Sequence, residues 1–223
     1  AARLGRSVIV ITLQAEHAGR LSCNPAVGGV AKGHLVREID ALGGAMGLAA
    51  DQSALQRRTL NLGRGPAVQA TRTQNDRARY ALAIQRAIRA QERLDVLEGT
   101  VEGILVEGGR ASGVSLRRPG GLQHVIRAPA LVITAGTFLR GQIFVGDVQL
   151  PAGRLGDAPS VGLSHSLQSL GFPLRRFKTG TPPRLDGRSL DYSRMTEQGD
   201  DAQSEAFSLR FDGQRIPTRS CWL

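Results

Sequence analysis

The segment Leu21-Ser-Cys-Asn-Pro-Ala-Val-Gly-Gly-Val-Ala-Lys-Gly33 places one cysteine and one lysine among three glycines and a proline, directly before a helix-forming pattern. Glycines let backbone amides approach a ligand closely, and a helix starting at such a loop adds a partial positive charge. By composition the segment is an anion-binding turn or a plain tight loop. Lys32 and the helix start both favour a thiolate at Cys23, the form in which a cysteine acts as a nucleophile. A second candidate is Lys178-Thr-Gly-Thr-Pro-Pro-Arg184, where Pro182 and Pro183 stiffen a turn between two cations. It reads as a phosphate or cofactor-edge contact, or as a rigid hinge. Arg86 and Arg89 lie on the outer faces of a helical stretch and read as polyanion contacts or as a solvated face.

Other chemistries find little support. Cys23 and Cys221 form no CxxC pair, and the four histidines show no ligand spacing, so neither a disulfide scaffold nor a metal site is expected. No apolar run approaches a membrane span of roughly 20 residues, and no signal peptide is visible, which points to a cytoplasmic protein. The 223 residues carry 29 Lys+Arg against 19 Asp+Glu, a net charge of +10, with lysine only at Lys32 and Lys178. Arginine-rich charge suits a polyanion such as nucleic acid, or reflects a biased genome.

The elements that must position these residues follow from periodicity. Ser7–Thr12 is a β-branched run of the kind buried on both faces of a parallel sheet, preceded by a helical turn stopped at Gly5. A helix is expected over Gly33–Met46, with Leu35, Val36, Ile39, Leu42 and Met46 on one face and Gly43-Gly44 breaking its last turn. A second is expected from about Thr73 to Gln91, with Thr73 and Asp76 in capping-box spacing and Tyr80, Ile84 and Ile88 recurring along it. Strands follow at Leu94–Leu97, Val101–Glu107, Gly113–Arg117 and Gln123–Arg127, punctuated by Gly108-Gly109 and Pro119-Gly120-Gly121. Ala130–Gly136 is a second fully apolar strand pattern. A helix capped by Ser160 and Gly171 runs over Ser160–Leu170, and the tail from about Asp186 is polar and weakly patterned.

Strand, three-stranded meander and returning strand is the order of two-domain flavoproteins. The expected class is therefore α/β: a Rossmann-like FAD-binding domain with a β-meander over residues 1–136, and the start of an inserted α+β domain over 137–223.

Six blocks carry a more specific signal. Ser22-Cys-Asn-Pro-Ala-Val-Gly-Gly29, Lys32–Gly44, Gly65-Pro-Ala-Val-Gln-Ala-Thr-Arg-Thr-Gln-Asn-Asp-Arg77, Thr134-Ala-Gly-Thr-Phe-Leu139, Gly153–Ser160 and Lys178–Arg184 together resemble the MnmG/GidA family over nearly the whole chain. The resemblance implies an FAD-dependent tRNA-modifying enzyme. It works with the GTPase MnmE to add an aminomethyl or carboxymethylaminomethyl group at C5 of the wobble uridine, using NADH and methylenetetrahydrofolate, as a homodimer in the full-length protein. It implies FAD contacts at Val101, Thr134, Ala135, Gly136 and Ser160, and a place for Cys23 near the flavin, as C6 nucleophile, proton relay or packing contact. Lys32, Arg86, Arg89, Lys178 and Arg184 are the substrate or phosphate candidates, and Cys221 matches a second family cysteine only loosely. The family's N-terminal glycine fingerprint, nicotinamide segment and C-terminal helical domain have no counterpart in these residues, so this chain alone is expected not to complete a flavin site or to catalyse. The alternatives are the related folate- and FAD-dependent tRNA uracil methyltransferase and a non-catalytic, basic RNA-binding remnant.

Overall fold

The computed structural model describes residues 1–201 and 203–223. Its strands are β1 (Val8–Thr12), β2 (Ala26–Gly28), β3 (Ala54–Leu60), β4 (Ala70–Asn75), β5 (Leu94–Glu98), β6 (Thr100–Glu107), β7 (Arg110–Arg117), β8 (Gln123–Arg127), β9 (Gln142–Val145), β10 (Val148–Pro151), β11 (Glu197–Gln198) and β12 (Cys221–Trp222). Its α-helices are α1 (Lys32–Ala41), α2 (Met46–Gln52), α3 (Arg77–Arg89) and α4 (Gly162–Ser169), so the α/β class holds. The chain forms two compact units: residues 1–15 with 93–179, and residues 16–92 with 180–223. These units divide the chain elsewhere than at the expected 136/137 boundary, since residues 137–179 pack with the meander that precedes them.

In the first unit, β1 and β5 pair in parallel from Val8 opposite Leu94 to Thr12 opposite Glu98. β6, β7 and β8 form the expected antiparallel meander, with Leu116 fully buried. α4 lies on β6. Gly162 packs so closely that a Cβ there would overlap Glu102, and the Ser166 hydroxyl accepts from the Ile104 amide at 2.9 Å. Leu163 and Leu167 are the buried residues of its apolar face.

Three expectations fail here. β1 is only half-buried, with Ile9 46% exposed, because among the described residues it has one neighbouring strand, β5. Ala130–Gly136 forms no strand. A strand needs a ladder partner, the segment has none among the described residues, and Val132 is 88% exposed. Ser160 does not cap α4, which begins two residues later. It instead bridges to Leu139, donating its amide to the Phe138 carbonyl at 2.8 Å and accepting from the Arg140 amide at 2.9 Å.

The second unit is built on the antiparallel sheet β2-β4-β3, which periodicity did not suggest. Its inner row, Val27, Thr73 and Arg57, faces a core of Val27, Val36, Ala49, Ala50, Tyr80 and Phe207. Arg57 is buried there against Asp51, which meets it at 2.8 Å. Asp51 also accepts from the amides of Phe207 and Ser208 at 3.1 and 2.8 Å, so the late segment is part of the core and not a loose tail. Burial pushes the Asp51 carboxyl up, against the pull of those amides and Arg57.

The helix expected over Gly33–Met46 is two helices. α1 stops at Ala41, the chain turns through Gly43, and α2 starts at Met46; of the five apolar residues only Val36 is buried, and Leu42 is 90% exposed. Thr73 belongs to β4 and forms no capping box. Asp76 alone caps α3, accepting from the Arg79 amide at 3.0 Å.

Candidate functional site

In the second unit, the cysteine loop owes its shape to the sheet beneath it. Residues 26–28 of the loop are strand β2, and a Cβ on Gly28 would overlap the Thr71 carbonyl and lie 2.6 Å from the Phe207 ring. With φ at +95°, this position takes glycine for packing as well as for backbone conformation. The loop's amides are engaged within the protein: Gly29 donates to Thr71 at 3.0 Å, Lys32 to Val30 at 2.8 Å and Gly33 to Gly29 at 2.6 Å. These three amides are therefore not free to cradle an anion.

Cys23 is half-buried. Its thiol donates to the Gly180 carbonyl at 3.1 Å, and the Thr181 hydroxyl donates to its sulfur at 3.5 Å. Its carbonyl receives Arg77 at 3.2 Å and also Arg184. The structure thus brings Cys23 together with the Gly180–Arg184 half of the second motif, while Lys178 is exposed and belongs to the other unit. Arg184 spends one of its donors on the loop it holds. Lys32 donates to the Ala26 carbonyl at 3.2 Å, and its ammonium is pushed down by partial burial and by the Arg72 guanidinium, with Cys23 pulling the other way. Arg86 and Arg89 are exposed in the last turn of α3, with no acidic partner among the described residues.

In the first unit, Thr134–Gly136 and Ser160 lie along the Leu139–Ser160 bridge, and Val101 lies on β6. Val101 is half-buried on β6, next to Glu102, against which Gly162 packs. The Ala135 carbonyl accepts from the Phe138 amide at 3.1 Å, which ties Thr134–Gly136 to the strip that pairs with Ser160. Gly136, at φ +56°, has open space where a Cβ would stand, beside exposed Thr134 and Ile133. Ser160 itself is 8% exposed.

Two features escaped the sequence reading. Arg58 and Arg72 stand directly opposite each other on the outer face of β3 and β4. The alternation Thr71-Arg72-Thr73, with threonines inward, marks Arg72 as outward-facing but does not name its partner. A cleft of about 480 Å³ is lined by Gly33, His34, Arg37, Thr71, Asp201 and Glu205 among others. Arg37 spans it to Thr71 at 3.1 Å and Glu205 at 3.3 Å. Among the described residues there is no cluster of His, Cys, Asp and Glu able to hold a metal ion, and no helix long and apolar enough to cross a membrane.

Comparison with known proteins places these features. The family model described as "Glucose inhibited division protein A" matches residues 1–223. The tRNA uridine 5-carboxymethylaminomethyl modification enzyme MnmG of Heliobacterium modesticaldum is 48% identical over 225 residues, covering 100% of this chain and 34% of that protein. The crystal structures of Aquifex aeolicus GidA, in forms I and II, superpose with a TM-score of 0.88 at 40% identity, over 99% of this chain and 37% of theirs. The chain spans about a third of the length of the relatives it matches.

Proposed function

Because the chain belongs to the GidA family, we propose that it is part of an FAD-dependent enzyme that adds a (carboxymethyl)aminomethyl group at C5 of the tRNA wobble uridine together with the GTPase MnmE. The observation that carries this reading is the 48% identity to MnmG along the entire chain. That identity also favours it over the uracil methyltransferase and the RNA-binding remnant.

Open space in front of Gly136, the exposed Thr134 beside it and the Ser160 bridge support a flavin nucleotide in the first unit, since small residues leave room beside the chain there. Val101, Thr134, Ala135, Gly136 and Ser160 are the residues that would hold FAD. When bound, FAD supplies a redox centre able to accept hydride from NADH and to take part in transfer of the one-carbon unit from methylenetetrahydrofolate.

The chain's own residues prepare the uridine. C5 of uracil is a weak nucleophile until a group adds at C6, and a cysteine is suited to that addition. Cys23 is the candidate, and Thr181 and Gly180 hold its sulfur in one position. Deprotonation would free the thiol from the Gly180 carbonyl. Lys32, Lys178 and Arg184 are assigned to phosphate groups of substrate or cofactor, and Arg86 and Arg89 to tRNA. We assign the full-length protein to the cytoplasm as a homodimer.

The test is direct. The full-length protein should purify yellow, release flavin on denaturation, and modify unmodified tRNA when given MnmE, GTP, NADH, methylenetetrahydrofolate and an amine donor. A colourless protein that takes up no added FAD, or a flavoprotein inert towards tRNA, would sink the reading.

A further inference from the structure

The outer face of the second unit's sheet carries charge in an arrangement that a sheet avoids. Arg58 on β3 and Arg72 on β4 are register partners, and like charges directly opposite one another destabilise a strand pair. Three other arginines of this unit are neutralised: Arg57 by Asp51, Arg215 by both oxygens of Asp200 at 2.7 Å, and Arg210 by Asp40 at 2.7 Å. Among the described residues, Arg58 reaches the Gly199 carbonyl at 3.4 Å and no acid, and Arg72 has no acidic partner. The two acids that follow Gly199 are committed. Asp200 holds Arg215 and the Arg57 amide, while Asp201 accepts from the amides of Thr59 and Gln203.

A third cation joins them. Lys32 is anchored on Ala26, whose strand partner Gln74 lies on the same outer face as Arg72, and the Arg72 charge acts on its ammonium. The two free cysteines border the group. Cys221 pairs with Gln198, whose carbonyl takes Gln56 of the same face at 2.5 Å, and its thiol feels both guanidiniums. Cys23 stands in the same loop, three residues before the Ala26 carbonyl that anchors Lys32.

We propose that Arg58, Arg72 and Lys32 form a binding site for a phosphate group, carried by an RNA backbone or by a dinucleotide diphosphate, on the sheet face between Cys23 and Cys221. Two guanidiniums present planar forks to a phosphate, the ammonium adds a point charge, and the bound anion relieves the cross-strand repulsion. The RNA source rests on the tRNA reading above; the anion site does not.

The experiment uses the full-length protein, with inorganic pyrophosphate, an anticodon stem-loop RNA and FAD (added to flavin-free protein) as separate probes. Arg58→Gln and Arg72→Gln each remove one side of the repulsion, so each should raise the melting temperature measured without anion. Pyrophosphate should raise the melting temperature of wild type and do so less in either variant. Binding of the true phosphate carrier should weaken about tenfold per substitution. If that carrier is RNA, the log–log salt slope should fall by roughly one per lost contact. Lys32→Gln, which leaves the strand pair intact, should weaken the same probe. Loss confined to RNA or to FAD names the source. Wild type unmoved by pyrophosphate, or variants that bind RNA and FAD as tightly as wild type, would overturn the site.

Discussion

At the scale of single residues, Cys23 separates chemistry from scaffolding. Cys23→Ser keeps the volume and a donor for the Gly180 carbonyl, so folding and flavin content should persist. If the thiol adds to uracil, single-turnover tRNA modification normalised to bound FAD should drop about 100-fold or more; near wild-type rates would reduce Cys23 to packing. Asp51 is a structural counterpart. Asp51→Ala strands a buried Arg57 and two amides, and denaturant titration should show a loss of about 3–5 kcal/mol. The acids also set the acid limb of stability. Asp200 is held below the usual carboxylate range, chiefly by its hydrogen bonds to Arg215. Its contribution is complete above the unfolded value of about 3.9 and is lost as pH falls through the folded value. Asp200→Asn should therefore flatten stability against pH below about 4 in urea titrations. Asp51 acts oppositely: burial raises its folded value, so its ionisation weakens the fold as pH rises across the interval. Cys23 and Lys32 stand out in the sequence as candidates because a loop motif frames them. Arg58 and Arg72 do not, because an arginine's meaning depends on its cross-strand partner, which sequence spacing within one strand cannot reveal.

At the scale of elements, punctuation proved more readable than hydrophobicity. The meander β6-β7-β8 was placed by its Gly108-Gly109 and Pro119-Gly120-Gly121 turns, and α3 by its apolar repeat. The sheet β2-β4-β3 was missed because its buried row holds Thr73 and Arg57 alongside Val27, so a polar pattern concealed an interior. Ala130–Gly136 erred in the opposite sense, since an apolar run says that a segment suits a strand but not that a partner lies beside it. The close fit of β2 gives a sharp test. Gly28→Ala sets a side chain at φ +95° against Thr71 and Phe207, and should cost about 2 kcal/mol or more in thermal or chemical unfolding. Tolerance of alanine there would mean that β2 is not seated on the core as described.

At the scale of the whole molecule, the +10 charge and the exposed end of α3 bear on the proposed RNA binding. Arg86→Ala with Arg89→Ala should lower the salt slope of tRNA binding by roughly one per lost phosphate contact, and an unchanged slope returns both to an ordinary solvated face. The compact units were hidden from the sequence because the second is discontinuous: residues 16–92 are completed by residues 180–223. That arrangement constrains the order in which the protein can be made. The amides that Asp51 needs lie 156 and 157 positions further along, and Phe207 enters the core between Val27, Val36 and Tyr80. On a ribosome, the early half of this unit must wait for roughly 150 residues of synthesis, about 10–30 s at roughly 5–20 residues per second, with its core open and its buried carboxylate unpaired by those amides. A nascent chain stalled before Phe207 emerges should therefore remain a substrate for hydrophobic-binding chaperones, and protection of residues 16–92 should arrive late, in one step, when the distant segment docks.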